Sequence, residues 1–192
     1  MTSLPSAGPL AGRWVRLDLL GEPDLDEMYP VLADPAVYAH GYVMHHRPGS
    51  LDDARALARS VFLAQQGEAD GRGGGRTAYA IRLTAGGDLG PAGTLVGTTS
   101  YTEADLRNES IHIGSTLYGS RWWGTQVNPE AKLLLMAHAF EECGYGRVGQ
   151  NRVHLVEVRF AEQIQPDPAP GQRPSRRQGR HDKPPQCERQ GV

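Results

Sequence analysis

The chain has 192 residues, a formal net charge of −2 and 39% hydrophobic residues. That length suits one domain with one sizeable core, and the near-neutral balance excludes a general nucleic-acid binder, which would be strongly basic. Two cysteines, Cys143 and Cys187, are too few for a disulfide framework and point to a reducing cytoplasm. The start Met1-Thr2-Ser3-Leu4-Pro5 has no basic, apolar leader. No run reaches the ~18 apolar residues of a membrane span, so a cytoplasmic protein without a membrane partner is expected.

Arg13-Trp14-Val15-Arg16-Leu17-Asp18-Leu19 alternates with period two and reads as a half-buried first strand. Asp24 to Ala33 reads as a short helix, with Leu25, Met28, Tyr29 and Leu32 at helical spacing. His40, His45 and His46 follow on a linking segment; adjacent histidines without a third ligand at metal spacing do not make a metal site, and none is assigned. Ser50-Leu51-Asp52-Asp53 is an acidic variant of a capping box. It opens a second helix to about Gln66, with Leu51, Ala54, Leu57, Ala58, Val61 and Phe62 on one face. Gly67 to Arg76 is glycine-rich, has no core and reads as a mobile loop. It lacks the Lys-Ser/Thr ending of a phosphate loop, and a strand follows where a helix should. Thr77 to Leu83 and Thr94 to Tyr101 read as a strand pair joined through Gly86-Gly87-Asp88.

The segment from Ile111 to Phe140 is the most informative. Ile111, Ile113 and Leu117 fit a half-buried strand, which Gly119-Ser120-Arg121-Trp122-Trp123-Gly124-Thr125-Gln126 interrupts. Ala131 to Phe140 is then rich in strong helix formers. Asn128 is a favoured N-cap, Pro129 at the first helical position loses only an orphan amide, and Glu130 complements the positive helix end. A strand feeding a glycine-containing loop and a helix start gathers backbone N–H groups into an anion site.

At these residues the chain resembles the GCN5-related N-acetyltransferase (GNAT) superfamily, and most of all its branch of ribosomal-protein N-terminal acetyltransferases. The family's central motif, Arg/Gln-x-x-Gly-x-Gly/Ala, is matched by Arg121-Trp122-Trp123-Gly124-Thr125-Gln126, continued by Val127-Asn128-Pro129-Glu130-Ala131-Lys132. Gln126 departs from it, and a side chain there narrows the room for a pyrophosphate. The resemblance covers roughly residues 10 to 158. It implies an α/β acyl-CoA N-acyltransferase fold, a mixed central sheet with helices on both faces, in the order β-α-α-β-β-β-α-β. It also implies an acetyl-CoA-dependent N-acetyltransferase acting on a primary amine of a peptide N-terminus or a small molecule. A catalytically inactive acyl-CoA-binding remnant is the alternative.

The resemblance places acetyl-CoA, with no metal, in a gap between the fourth and fifth strands. The backbone of Ile113, Gly114, Ser115 and Thr116 would pair with the pantetheine. Arg121, Trp122, Trp123, Gly124, Thr125, Gln126 and Val127 would surround the pyrophosphate, chiefly through backbone amides from Trp122 onward. Asn128 has two readings that can coexist, an N-cap and a side-chain contact to the cofactor; the tryptophans read as core or lid packing ahead of cofactor contact. Amine attack on a thioester needs a base and a donor to the oxyanion. Relatives often carry Glu just before the Ile-Gly of the fourth strand, where this chain has His112, whose imidazole titrates near neutral pH. Glu103 and Glu109 are the other candidate bases. The linking segment Tyr38 to Arg47 falls where the family lines its acceptor pocket.

From Phe160 the chain is rich in Pro, Gln, Arg and Gly and poor in apolar residues. The expected organisation is a GNAT domain over 1–158, lacking the family's closing part, and a disordered tail over 159–192. The tail's composition is also that of GC-rich DNA read out of frame. A fifth strand near Arg152 to Val158 would then be an exposed edge, and covering it predicts a homodimer.

Overall fold

The computed structural model describes residues 1–6, 8–39 and 46–150. One six-stranded sheet runs in sequence order: β1 (Leu10–Ala11), β2 (Val15–Leu19), β3 (Arg76–Leu83), β4 (Leu95–Asp105), β5 (Ser110–Tyr118) and β6 (Arg147–Gln150). Neighbours are antiparallel except β5 and β6, which are parallel and therefore need a crossover, here the helix α4 (Val127–Ala137). The mixed α/β sheet with helices on both faces is the expected fold.

Alternation along β3 builds two cores. Tyr79 and Ile81 join Val15, Leu17, Tyr101, Ile111, Ile113, Ala131 and Leu135 beneath α4. Ala78 and Ala80 point the other way, into a layer with Leu25, Met28, Val31, Val37, Ala54, Ala58 and Phe62. Those residues belong to α1 (Tyr29–Leu32), α2 (Pro35–Tyr38), α3 (Leu51–Ala58) and the turns around them.

Several boundaries differ from the sequence reading. The single helix expected over Asp24 to Ala33 is a 3-10 turn at Glu22–Asp24 followed by α1, because Pro30 cannot continue a helix entered from Asp26. Pro35 likewise forces Asp34 out of helical geometry (ψ 114°); Asp34 becomes the N-cap of α2, accepting from the Ala36 amide at 2.9 Å. Ser50 caps α3 as read, accepting from the Asp53 amide at 3.1 Å, but the helix widens into a π turn at Arg59–Leu63 and stops short of Gln66. The glycine-rich segment is tied down: Asp70 accepts from the amides of Arg72 and Gly74, while Gly71 and Gly73 bond to Leu106 and Ala104 at the end of β4. β6 begins at Arg147; the strand expected near Arg152 to Val158 lies outside the described residues.

Candidate active site

The chemistry-bearing residues gather along β5. Its register with β4 slips twice, between Thr98 and Ser100 and again between Thr102 and Asp105. Each slip is a bulge carrying a non-glycine residue in the left-handed region, Ser115 (φ 47°) on β5 and Glu103 (φ 54°) on β4. The ladder to β6 pairs Ser110, Ile111, His112 and Ile113 with Arg147 to Gln150. Among the described residues that ladder stops at Ile113, just before the Ser115 bulge.

At the C-terminal end of β5 the chain enters the tryptophan loop. The Trp122 ring lies against Gly119, where an added Cβ would meet ring carbon at 2.6 Å, and its Nε1 donates to the Leu89 carbonyl at 2.9 Å. Trp123 is 44% exposed and donates to the Tyr118 carbonyl, and Arg121 lies over the Trp122 ring. Asp34 holds the loop from the neighbouring helix by accepting from the Ser120 amide at 2.7 Å; that bond and the one from Ala36 outweigh desolvation and keep its carboxyl below the usual range. Gly124 has φ 70° with nothing within 4 Å of a Cβ added there, so the backbone itself is presented. The amides of Gly124, Gln126 and Asn128 make no hydrogen bond among the described residues.

The helix starts earlier than the capping residues suggest. Val127 is its first residue and Gln126 its cap, while the Thr125 hydroxyl accepts from the Val127 amide at 3.4 Å. Asn128 is therefore inside the first turn, not at the N-cap, and its Oδ1 is buried without a partner. Glu130 accepts from three consecutive amides, Arg13, Trp14 and Val15, each at 2.7 Å, so it anchors the start of β2 and not only its own helix end.

Lys132, missed in the sequence, lies one turn beyond Asn128 on the same helix face. It is 8% exposed; its ammonium donates to the Thr116 hydroxyl at 2.7 Å, which in turn is 2.8 Å from the Thr99 hydroxyl. Desolvation lowers its pKa to about 8, with no carboxylate beside it among the described residues. The signal available was a lysine on the stripe that Ala131 and Leu135 bury.

At the other end of β5, His112 and Glu103 are brought together: Nδ1 lies 3.7 Å from the Glu103 carboxylate. The His112 ring rests on Gly149 of β6, where an added Cβ would meet it at 2.8 Å. Glu109 is elsewhere, in the β4–β5 turn, where its carbonyl accepts from Gly146 and Arg147 and its side chain from Thr2. Direct register pairs Arg76 with Thr102 and Thr102 with His112, which puts the three side chains on one sheet face. A cavity of about 300 Å³ opens at this row, lined by Gln65, the glycines at 73–75, Arg76, Thr102, Glu103 and Ser115. Among the described residues no group of three or more His, Cys, Asp or Glu could hold a metal ion.

The fold that carries this strand, cavity and helix start is shared by known proteins. The acetyltransferase (GNAT) domain family matches residues 15–156. This chain belongs to the GNAT acetyltransferase family. Solved GNAT neighbours include a GCN5-related N-acetyltransferase from Brucella melitensis (21% identity, TM-score 0.61), with 77% of this chain matched to 61% of that one. Two further structures described as acetyltransferases, the first of them from T. thermophilus, are 25% and 27% identical with TM-scores of 0.56 and 0.57. In both, 77% of this chain is matched to 67% of theirs. No curated protein matches the chain. Membership of the family makes the protein an acetyltransferase of the GNAT type.

Proposed function

We propose that this GNAT protein transfers an acetyl group from acetyl-CoA to the primary amine of a peptide N-terminus or small molecule, in the manner of the ribosomal-protein branch. The observation that carries the reading is β5 itself, with a phosphate-ready loop at one end, a polar cavity at the other and a bulge between them. The residues fit the cofactor: the amides of Gly124, Gln126 and Asn128 suit a pyrophosphate at the positive start of α4. The buried, unpartnered Oδ1 of Asn128 suits an N–H donor. Gly114, Ser115 and Thr116 offer strand backbone to a pantetheine chain, as an added strand would use it. Acetyl-CoA, when bound, supplies an activated thioester.

The protein's own part is positioning and proton handling. His112, steadied by Glu103, accepts the proton that the attacking amine must lose as the N–C bond forms and the C–S bond breaks. A β5 amide at the bulge donates to the oxygen on which charge develops. Lys132 holds the bulge from beneath through Thr116. Free-thiol release from acetyl-CoA across an amine panel tests turnover, and calorimetry tests cofactor binding. Absence of any acetyl-CoA binding would reject the reading, and His112→Gln should lower kcat about 100-fold with little change in cofactor affinity.

A further inference from the structure

Arg76 opens β3 at the edge of the cavity. Its Nη1 donates to the Val61 carbonyl in the π turn, which leaves the Nε edge of the guanidinium; Nε is buried with no acceptor. No carboxylate offsets its burial among the described residues, and desolvation alone pulls its pKa down. Thr102, directly across the ladder, also has a buried hydroxyl without a partner. Buried polar groups are almost always satisfied, so two orphans on residues that line one cavity point to a polar partner bound there.

Strain converges on the same place. Four non-glycine residues have φ in the left-handed region among the described residues, and three of them, Gln65 (63°), Glu103 and Ser115, line this cavity. Such conformations are strained and gather at ligand clamps and active sites. The Arg76 guanidinium and the Glu103 carboxylate share the cavity without pairing with each other, Glu103 being turned towards His112. A site with an unpaired cation and a separately held anion is complementary to a ligand that carries both charges.

We infer that this cavity is the acceptor site and takes a primary amine bearing its own carboxylate, received by Arg76 while Glu103 holds the ammonium. The inference rests on the acetyl-transfer reading and adds the acceptor's class to it. A planar carboxylate matches the remaining guanidinium edge, which a lysine in that place could not offer. The Thr102 hydroxyl donates to the same carboxylate. Held at Glu103, the ammonium gives up one proton to solvent before attack, and the amine then faces His112, which takes the second proton as the N–C bond forms and the thiolate leaves. The carboxylate has two sources: the α-carboxylate of a free amino acid, or an acidic side chain next to a peptide N-terminus.

Calorimetry on the full chain with four probes separates them: serine against serinamide, and the dipeptide amides Ser-Glu-NH₂ against Ser-Gln-NH₂. The carboxylate member of one pair should bind at least about tenfold more tightly than its amide partner, and the pair that discriminates names the source. Arg76→Gln should erase that preference, leaving the affinity of the amide member and of acetyl-CoA unchanged. Glu103→Gln should weaken all four probes while keeping the preference, which holds the test open if Arg76→Gln fails to fold. Equal affinities within both pairs, no binding by any probe, or a preference that survives Arg76→Gln would overturn the inference. Acetyl-CoA binding, measured in parallel, reports on the phosphate end separately: its loss with the preference intact would sink the cofactor reading alone.

Discussion

The two ends of β5 are built in opposite ways. At the C-terminal end, strand, loop and helix follow one another in the chain from Tyr118 to Lys132, and every amide proposed for the pyrophosphate comes from that one stretch. At the N-terminal end, the cavity is assembled from Gln65, the 73–76 segment, Thr102, Glu103 and Ser115, four pieces joined only by the sheet. The first end uses backbone and tolerates changes of side chain. The second depends on side chains and on two bulges that keep them in place.

The largest effect expected of a single change is at the backbone end. Gly124→Glu puts a side chain at φ 70° and a negative charge at an anion site, so acetyl-CoA affinity should fall about a thousandfold, ~4 kcal/mol. The thermal midpoint should fall by only a few degrees, because nothing lies within 4 Å of the added Cβ and the cost is the left-handed φ alone, about 1–2 kcal/mol. A calorimetric affinity that did not change would remove the pyrophosphate from this loop. Glu130→Ala should act on the fold and on both ends alike. Losing three charge-assisted bonds to Arg13, Trp14 and Val15 should destabilise the protein by about 3 kcal/mol in denaturant titrations.

Lys132, between the two ends, should be visible in pH dependence. Its folded pKa of about 8 lies below the unfolded value near 10.5, so the unfolded chain binds the extra proton between those values. The burial penalty is in full force below pH 8 and is relieved as pH rises towards 10.5. Compared with Lys132→Met, the wild type should therefore gain stability over that window, by an amount on the order of 3 kcal/mol. Parallel stability curves for the two proteins would show that the ammonium is not desolvated.

The smallest effect tests the side-chain end. Gly149→Ala drives a methyl group into the His112 ring, so kcat should fall about tenfold while stability falls by about 1 kcal/mol and acetyl-CoA affinity holds. A loss of cofactor affinity instead would mean that the two ends are not separable.

This contrast also explains what the sequence made legible. The run from Ile111 to Phe140 announced a strand, a loop and a helix because the signals lie side by side. Even there the helix start differs, since Asn128 and Pro129 look like a cap and a first residue whereas the Thr125 hydroxyl does part of that work three residues before Asn128. The helix expected over Asp24 to Ala33 failed for a similar reason: apolar spacing outweighed Pro30 and Pro35, which break the backbone whatever the side chains want. The cavity was not legible at all, because it depends on which residue of β3 faces which of β4, and on bulges that no periodicity records. His112 and Glu103 were each named as candidates, but only the register places them beside each other.

The carboxylate of Glu130 turns three adjacent backbone protons into a single reporter. The amides of Arg13, Trp14 and Val15 donate to one acceptor carried by α4, the helix whose first turn borders the tryptophan loop. Their exchange with deuterium requires the same opening event, so the three should exchange at a common rate rather than one by one. A ligand that steadies the helix start should slow all three together, at positions over a hundred residues away in the chain. The N-terminal strand would thus serve as a built-in footprint of occupancy, readable by mass spectrometry without a label, a substrate or a turnover assay.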